Sequence, residues 1–231
     1  IGGVDHPMTR QTDDLWVVTG PIADLMDYRY RIVYPDGAGT AEFVVADGYR
    51  FLPSLGDIDI HLFSEGRHET LWEALGARVV SYTTADGEVS GTAFSVWAPN
   101  AHGVAVIGDF DRWTGRVAPM RKVGVSGVWE VFIPDVGDGA HYKFRVHGAD
   151  GVIRDKADPM AYRTTPPPST ASVVTRSQHV WSDDAWIARR ERSAPEREPM
   201  SIYEVHLASW RQGLGYRELA HQLADYVVEK G

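Results

Sequence analysis

The sequence contains no cysteine, which removes disulfide staples and thiolate metal sites together and fits a reducing compartment. The protein is accordingly read as cytoplasmic. No stretch approaches the eighteen or so apolar residues that a membrane helix needs, and the opening "IGGVDHPMTR" lacks the charged and apolar regions of a secretory signal. No membrane partner is expected. Lys and Arg number 23 against 32 acidic residues and nowhere cluster, leaving a net charge of -9 and a pI near 5.4. That argues against a nucleic-acid partner, which calls for a basic field or stripe. The nine histidines show no HxH, HxxxH or HExxH spacing, so neither a metal nor a cofactor is expected. The glycines of "YPDGAGT" do not lead from a strand into a helix as a phosphate loop requires and read as a hairpin. A neutral or small ligand remains.

Aromatic residues are plentiful, with eight Trp and ten Tyr among 231 residues, and serve either as core bulk or as flat platforms for sugars. Up to about residue 178 the chain runs in short segments such as "LWVVTG", "YRYRIVY", "TAFSVWA", "GVAVIGDF", "VWEVFI" and "HYKFRVH". Their β-branched and aromatic content makes them strands. Asp-Gly pairs at 36–37, 47–48, 86–87, 138–139 and 150–151 predict tight hairpins between them, and hence antiparallel sandwiches.

An internal repeat sharpens this. "HPM", Trp16 and "DYRYRIVYPDG" run parallel to "APM", Trp129 and "HYKFRVHGADG". Trp16 stands 12 residues before Tyr28 and Trp129 stands 13 before Tyr142, so the spacings agree within one residue. The second copy has 38 positions from Gly91 to Trp129, whereas only 15 residues precede Trp16; the first copy reads as lacking its opening strands. The predicted division is therefore a truncated β-module over 1–63, a helical linker over 64–82, a complete β-module over 83–178, a charged linker over 179–199 and a β/α unit over 200–231. That last unit, "SIYEVHLASWRQGLGYRELAHQLADYVVEKG", pairs a short apolar strand with an amphipathic helix carrying Leu219, Leu223, Tyr226 and Val227 on one face.

"FSVWAPNAHGVAVIGDFDRW", "GVWEVFIPDVGDGAHYKFRV", "KADPMAY", "YRFLPSLGDIDIHLFSEGRHETLWEALGA" and "SIYEVHLASWR" together closely resemble bacterial 1,4-α-glucan (glycogen) branching enzymes. The resemblance implies a mainly β fold: two tandem Ig-like β-sandwiches, the second a family-48 carbohydrate-binding module, then the first β/α unit of an α-amylase-type (β/α)8 barrel. One β/α unit cannot close a barrel of eight, so the chain is read as an N-terminal fragment whose partners are an α-glucan, glycogen or amylose, and the rest of its own barrel. The implied reaction is a retaining double displacement by two carboxyl groups roughly 5 Å apart. Those groups belong to later barrel strands, so no catalytic residue is assigned here. Asp13-Asp14, Asp57 and Asp59, and Asp183-Asp184 read as caps or solvated turns, and Glu204 and His206 as structural.

In glucan-binding members of the module family, the Trp of a "GxFxxW" turn and the Lys of a "YKF" strand touch the sugar. They match Trp113 in "GDFDRW" and Lys143 in "HYKFRV". The alternatives are a core tryptophan and a solvated lysine. A second stacking Trp after "YKF" has no match, since "HGADGVIRDKADP" offers only Val152 and Ile153. Trp97 and Trp129 are expected in the core. Competing readings are a non-catalytic glucan-binding or scaffold module, and another α-amylase-superfamily enzyme such as a maltooligosyltrehalose hydrolase or a debranching enzyme.

Overall fold

The computed structural model describes residues 4–13, 15–20, 28–36, 39–84 and 87–230. Asp14, Gly37 and Asp86, which enter the acidic-pair and hairpin expectations, lie outside the described residues. The chain divides into two compact units between Ser177 and Gln178, and no helix among the described residues is long and apolar enough to cross a membrane.

The first unit opens with two separate antiparallel ribbons. β1 (Thr9–Arg10) pairs β2 (Trp16–Val17), and β3 (Arg29–Asp36) pairs β4 (Gly39–Ala46) in register from Arg29↔Ala46 to Asp36↔Gly39. Where the sequence led us to expect a truncated sandwich, the described residues form these ribbons. Asp47-Gly48 does not make a hairpin either: Asp47 caps a 3-10 turn over Gly48–Arg50 and accepts the Tyr49 N–H at 2.8 Å. Two helices follow, α1 (Asp57–Ser64) and α2 (Leu71–Ala74).

The sandwich itself begins earlier than the sequence reading placed it. β5 (Gly76–Thr84) pairs along its whole length with β6 (Gly87–Trp97), so residues 76–82 belong to a strand and not to a linker. The helical signal of Leu71, Trp72 and Leu75 was carried too far into "ARVVSYTT", whose β-branched content wins once β6 is there to pair with it. One sheet runs β5-β6-β9-β8, with β8 (Arg121–Lys122) and β9 (Val128–Pro134). The other runs β11-β10-β13-β12, with β7 (Ala101–Gly108) also pairing β10 (His141–Gly148); its remaining strands are β11 (Ile153–Lys156), β12 (Arg163–Thr164) and β13 (Ser172–Val173). The Asp138-Gly139 and Asp150-Gly151 turns behave as expected, with both glycines at positive φ between β9 and β10 and between β10 and β11.

Phe94, Val96, Trp129, Val131, Tyr142 and Phe144 face inward between the sheets and are all buried. The strand period of two would leave the opposite face of β6 and β9 in water, yet Ala93, Ser95, Val128, Glu130 and Phe132 are also buried. Residues 51–75 cover that face. Phe51 packs on Phe132 and Tyr82 with ring centroids 4.6 and 4.9 Å away, and Leu55, Ala74 and Leu75 cluster with Val128. Beneath this cover Glu130 is fully buried: it receives Ser54 N–H at 2.8 Å and the Arg121 guanidinium at 3.0 and 3.2 Å. Trp97 departs from expectation. It sits at the end of β6 at the edge of the cover and is 54% exposed, whereas Trp129 is buried as expected.

The second unit carries α3 (Asp184–Arg190), α4 (Leu207–Trp210) and α5 (Tyr216–Lys230). The amphipathic helix is present as α5, and Tyr226 on it meets Tyr203 and Trp210 at centroid distances of 5.3 and 5.6 Å. The strand expected in "IYEVHLAS" is absent: residues 201–206 carry no strand and Leu207–Trp210 is helical. A strand exists through ladder bonds to a neighbour, and the described residues supply none there.

Candidate functional site

The five-stranded sheet presents alternate residues of β10, namely His141, Lys143 and Arg145, on its outer face, while Tyr142 and Phe144 enter the core. This alternation follows from the strand geometry. Lys143 lies opposite Ile107 of β7, and at the end of β7 the chain makes the turn that holds Trp113. That turn is built around Asp111, which is 5% exposed. One of its carboxylate oxygens accepts the Gly108 N–H at 2.9 Å and the other accepts the Gly115 N–H at 2.6 Å. Between them Arg112 and Trp113 take φ of 54° and 62°. Two successive non-glycine residues in the left-handed region are costly unless the surroundings fix them, and the buried carboxylate is what fixes them.

The indole of Trp113 is oriented in turn. Its Nε1–H donates to Asp109 at 3.1 Å, and the other oxygen of Asp109 meets the His141 imidazole at 2.9 Å. On the far side of Lys143, Arg145 donates to the carbonyl of Thr114 at 2.8 Å and holds Asp155 by two bonds of 2.8 and 2.9 Å. The two neighbours of Lys143 on its face therefore both grip the Trp113 turn. Packing there is close: a Cβ added at Gly115 would stand 3.0 Å from Ile107 Cγ2 and 3.2 Å from an Arg145 nitrogen. Arg145 holds the Asp155 carboxyl below its ordinary range, chiefly by hydrogen bonding, against a smaller effect of burial.

Trp113 remains half-buried, neither core nor fully exposed, and Lys143 is half-buried with its ammonium donating to Thr170 Oγ1 at 2.7 Å. An ammonium has three donors, so two stay open to a ligand. A shallow groove lined by His102, Ala105, Gly115, Pro119 and His147 opens beside the turn. The arrangement offers a ring face, open donors and no strong nucleophile, which suits binding of a neutral polyhydroxylated ligand. Sequence reasoning missed His141 and Arg145 as supports, and the hydrogen bonds through which Asp109 and Asp111 act. The spacing of Asp109 and Asp111 about the "GDFDRW" turn was the available signal. Of the acidic pairs weighed in the sequence, Asp59 has a structural role among the described residues. Asp59 caps α1 by accepting the Gly56 N–H at 2.9 Å and contacts His68 at 3.1 Å, and Asp183 precedes α3. His206 bonds Ser209 at 2.8 Å. Val152 in the loop after β10 and Ile153 at the start of β11 are exposed.

Residues 74–161 match carbohydrate-binding module 48 (isoamylase N-terminal domain), a span that begins just ahead of β5 and ends past Asp158. Over all 231 residues the chain is 59% identical to 1,4-alpha-glucan branching enzyme GlgB of Nocardia farcinica (strain IFM 10152), covering 100% of this chain and 31% of that one. The same enzyme of Rhodococcus jostii (strain RHA1) is 56% identical over the same shares, and that of Mycobacterium tuberculosis (strain ATCC 25618 / H37Rv) is 58% identical over 94% of this chain and 29% of its own. Among solved structures, pullulanase type I from Bacillus subtilis str. 168 complexed with maltose covers 47% of this chain and 14% of its own at 26% identity, with a TM-score of 0.36. The chain spans about 31% of the length of the curated relatives it matches, and along all of its residues it is similar to 1,4-alpha-glucan branching enzymes.

Proposed function

We propose that the chain is the glucan-contacting N-terminal part of a 1,4-alpha-glucan branching enzyme, with Trp113 and Lys143 engaging glycogen or amylose while bond-making takes place elsewhere in the parent protein. One observation carries the reading: the Trp113 turn, strained at two residues, is anchored on both sides of Lys143. A ring held at half exposure stacks on the apolar C–H face of glucose, and the open donors of Lys143 reach its hydroxyls. In the parent reaction an aspartate attacks the anomeric carbon and a glutamate protonates the departing chain. A glucan 6-hydroxyl then displaces the enzyme carboxylate, leaving an α-1,6 branch with retained configuration. No residue of this chain is given a catalytic role. Residues 200–231 are proposed to begin the (β/α)8 barrel, which the rest of the parent completes in the cytoplasm, with no cofactor. Identity of 56–59% across the chain supports a branching enzyme over a related hydrolase or debranching enzyme.

Electrophoresis of the purified chain through gels with and without glycogen tests the binding. The chain should be retarded by glycogen, and Trp113→Ala should weaken retention on the order of fivefold to tenfold, with a smaller loss for Lys143→Ala. Equal migration of the unaltered chain in both gels would end this reading. The chain alone should leave the iodine spectrum of amylose unchanged.

A further inference from the structure

Trp97 ends β6 on the outer face of the four-stranded sheet, opposite the fully buried Val128, and keeps 54% of its surface in water. The other two tryptophans of the module have their indole N–H groups engaged, Trp113 with Asp109 and Trp129 with the Ala98 carbonyl at 2.9 Å. The indole N–H of Trp97 donates to no acceptor among the described residues. One flank of the ring is braced by Phe63 of α1, edge-on with centroids 5.9 Å apart and planes at 69°. On the other flank the indole lies close to Gly127, where a Cβ would stand 3.1 Å from the indole nitrogen and 2.8 Å from the Pro99 Cβ. In the turn that follows, Asn100 is exposed and its side-chain amide has no hydrogen-bond partner among the described residues.

Among the three tryptophans of the module, Trp97 alone combines this exposure with an indole N–H that has no acceptor among the described residues. Its chemistry is that of a sugar contact: an apolar face for the C–H surface of a pyranose, with a free N–H for hydroxyls and an exposed amide three residues on. We infer that Trp97 is a second α-glucan contact of this module, on the sheet opposite that of the Trp113 turn, with Phe63 holding the ring and Asn100 facing the sugar rim. The identity of the ligand rests on the function proposed above; the place rests on the geometry of Trp97. Two contacts on separate sheets let one branched glucan engage the module twice, which raises retention without a tighter single site.

The test is a titration of the 15N-labelled chain with maltoheptaose, following the indole N–H resonances, with those of Trp97 and Trp113 identified by their disappearance in Trp97→Phe and Trp113→Phe. The Trp97 resonance should move saturably, and Trp97→Ala should weaken retention in glycogen gels on the order of fivefold. Because Trp97 is exposed, that variant should keep the dispersed spectrum of the parent chain, and Trp97→Phe should retain part of the binding. Movement of Trp113 with Trp97 stationary overturns this inference and leaves the proposed function standing. Movement of Trp97 alone supports it and removes Trp113 from the site. If neither resonance moves, both readings fall.

Discussion

The hydroxyl of Tyr142 donates to one carboxylate oxygen of Asp158 at 2.5 Å, while the other oxygen accepts the N–H of Met160 at 2.8 Å. Tyr28 stands to Asp47 in the same relation: hydroxyl to carboxylate at 2.5 Å, with the Tyr49 N–H on the other oxygen at 2.8 Å. In each case the tyrosine opens the first strand of a hairpin and the aspartate follows the return strand. The repeat visible in the sequence therefore extends to a specific hydrogen-bonded tie, and each tie pins the chain where it leaves its hairpin.

The two ties should differ in strength because their surroundings differ. Asp158 is 5% exposed and Tyr142 fully buried; burial pushes the Asp158 carboxyl up, with the Tyr142 hydroxyl offsetting part of that rise. Tyr142→Phe leaves a buried carboxylate short of a donor and should cost about 1–3 kcal/mol at pH 7. Tyr28→Phe, at a half-buried position where Tyr30 also reaches Asp47 at 3.1 Å, should cost less. A carboxyl whose folded pKa is raised contributes stability that is present in acid and lost as pH rises through that pKa. Losing the hydroxyl raises the Asp158 pKa further, so the penalty of Tyr142→Phe should shrink as pH falls toward the carboxylate range. Urea unfolding of both variants at pH 7 and pH 4.5 measures this.

Glu130 is the electrostatic centre of the covered sheet face. Removing it in Glu130→Ala leaves Arg121 without its carboxylate and Arg78, whose pKa burial already lowers and Glu130 partly restores, in an apolar setting with less compensation. Breaking a buried pair from one side costs about 3–5 kcal/mol. Thermal unfolding should show that loss, and Glu130→Gln, which keeps the Ser54 contact, should recover part of it.

Phe51 tests whether residues 51–75 are bound as a cover. It is 7% exposed and packed against Phe132 and Tyr82, and Phe51→Ala should cost about 3–5 kcal/mol. If the segment is held by these contacts, limited proteolysis should then cut between residues 46 and 57 while the sandwich persists. Cleavage unchanged from the parent chain would place the hold elsewhere.

The strands of the second module and the "GDFDRW" turn were legible because period-two patterning and Asp-Gly turns act locally. The cover was not: Ala93, Ser95, Glu130 and Phe132 look like residues of a solvated or mixed face until a distant segment is known to lie on them. Glu130 in particular reads as an exposed charge in any window of "GVWEVFIP". Trp97 failed in the opposite sense, since alternation with small neighbours marks a face and does not say where the cover on that face ends. Lys143 and Trp113 were picked out by resemblance, while the residues that aim them, Asp109, His141 and Arg145, required the sheet register, which links positions more than 30 residues apart.

Arg145 joins the site to the sheet edge, and pH should reveal it. The guanidinium holds Asp155 by two bonds and the Thr114 carbonyl by a third, so Asp155 keeps in place one support of the Trp113 turn beside Asp109 and Asp111. Arg145 depresses the Asp155 pKa below its usual 3.8. A carboxyl with a depressed folded pKa contributes stability that is present above its unfolded value and lost as pH falls through the folded one. Retention in glycogen gels should therefore be level from pH 8 to pH 5 as far as this pair is concerned, and should fall only in stronger acid. Asp155→Asn should bring the loss to neutral pH, with retention weakened by up to about fivefold as suits an exposed pair, and should flatten the acid limb. Retention in Asp155→Asn equal to that of the parent chain at pH 7 would mean that Asp111 and Asp109 hold the turn without help from β10.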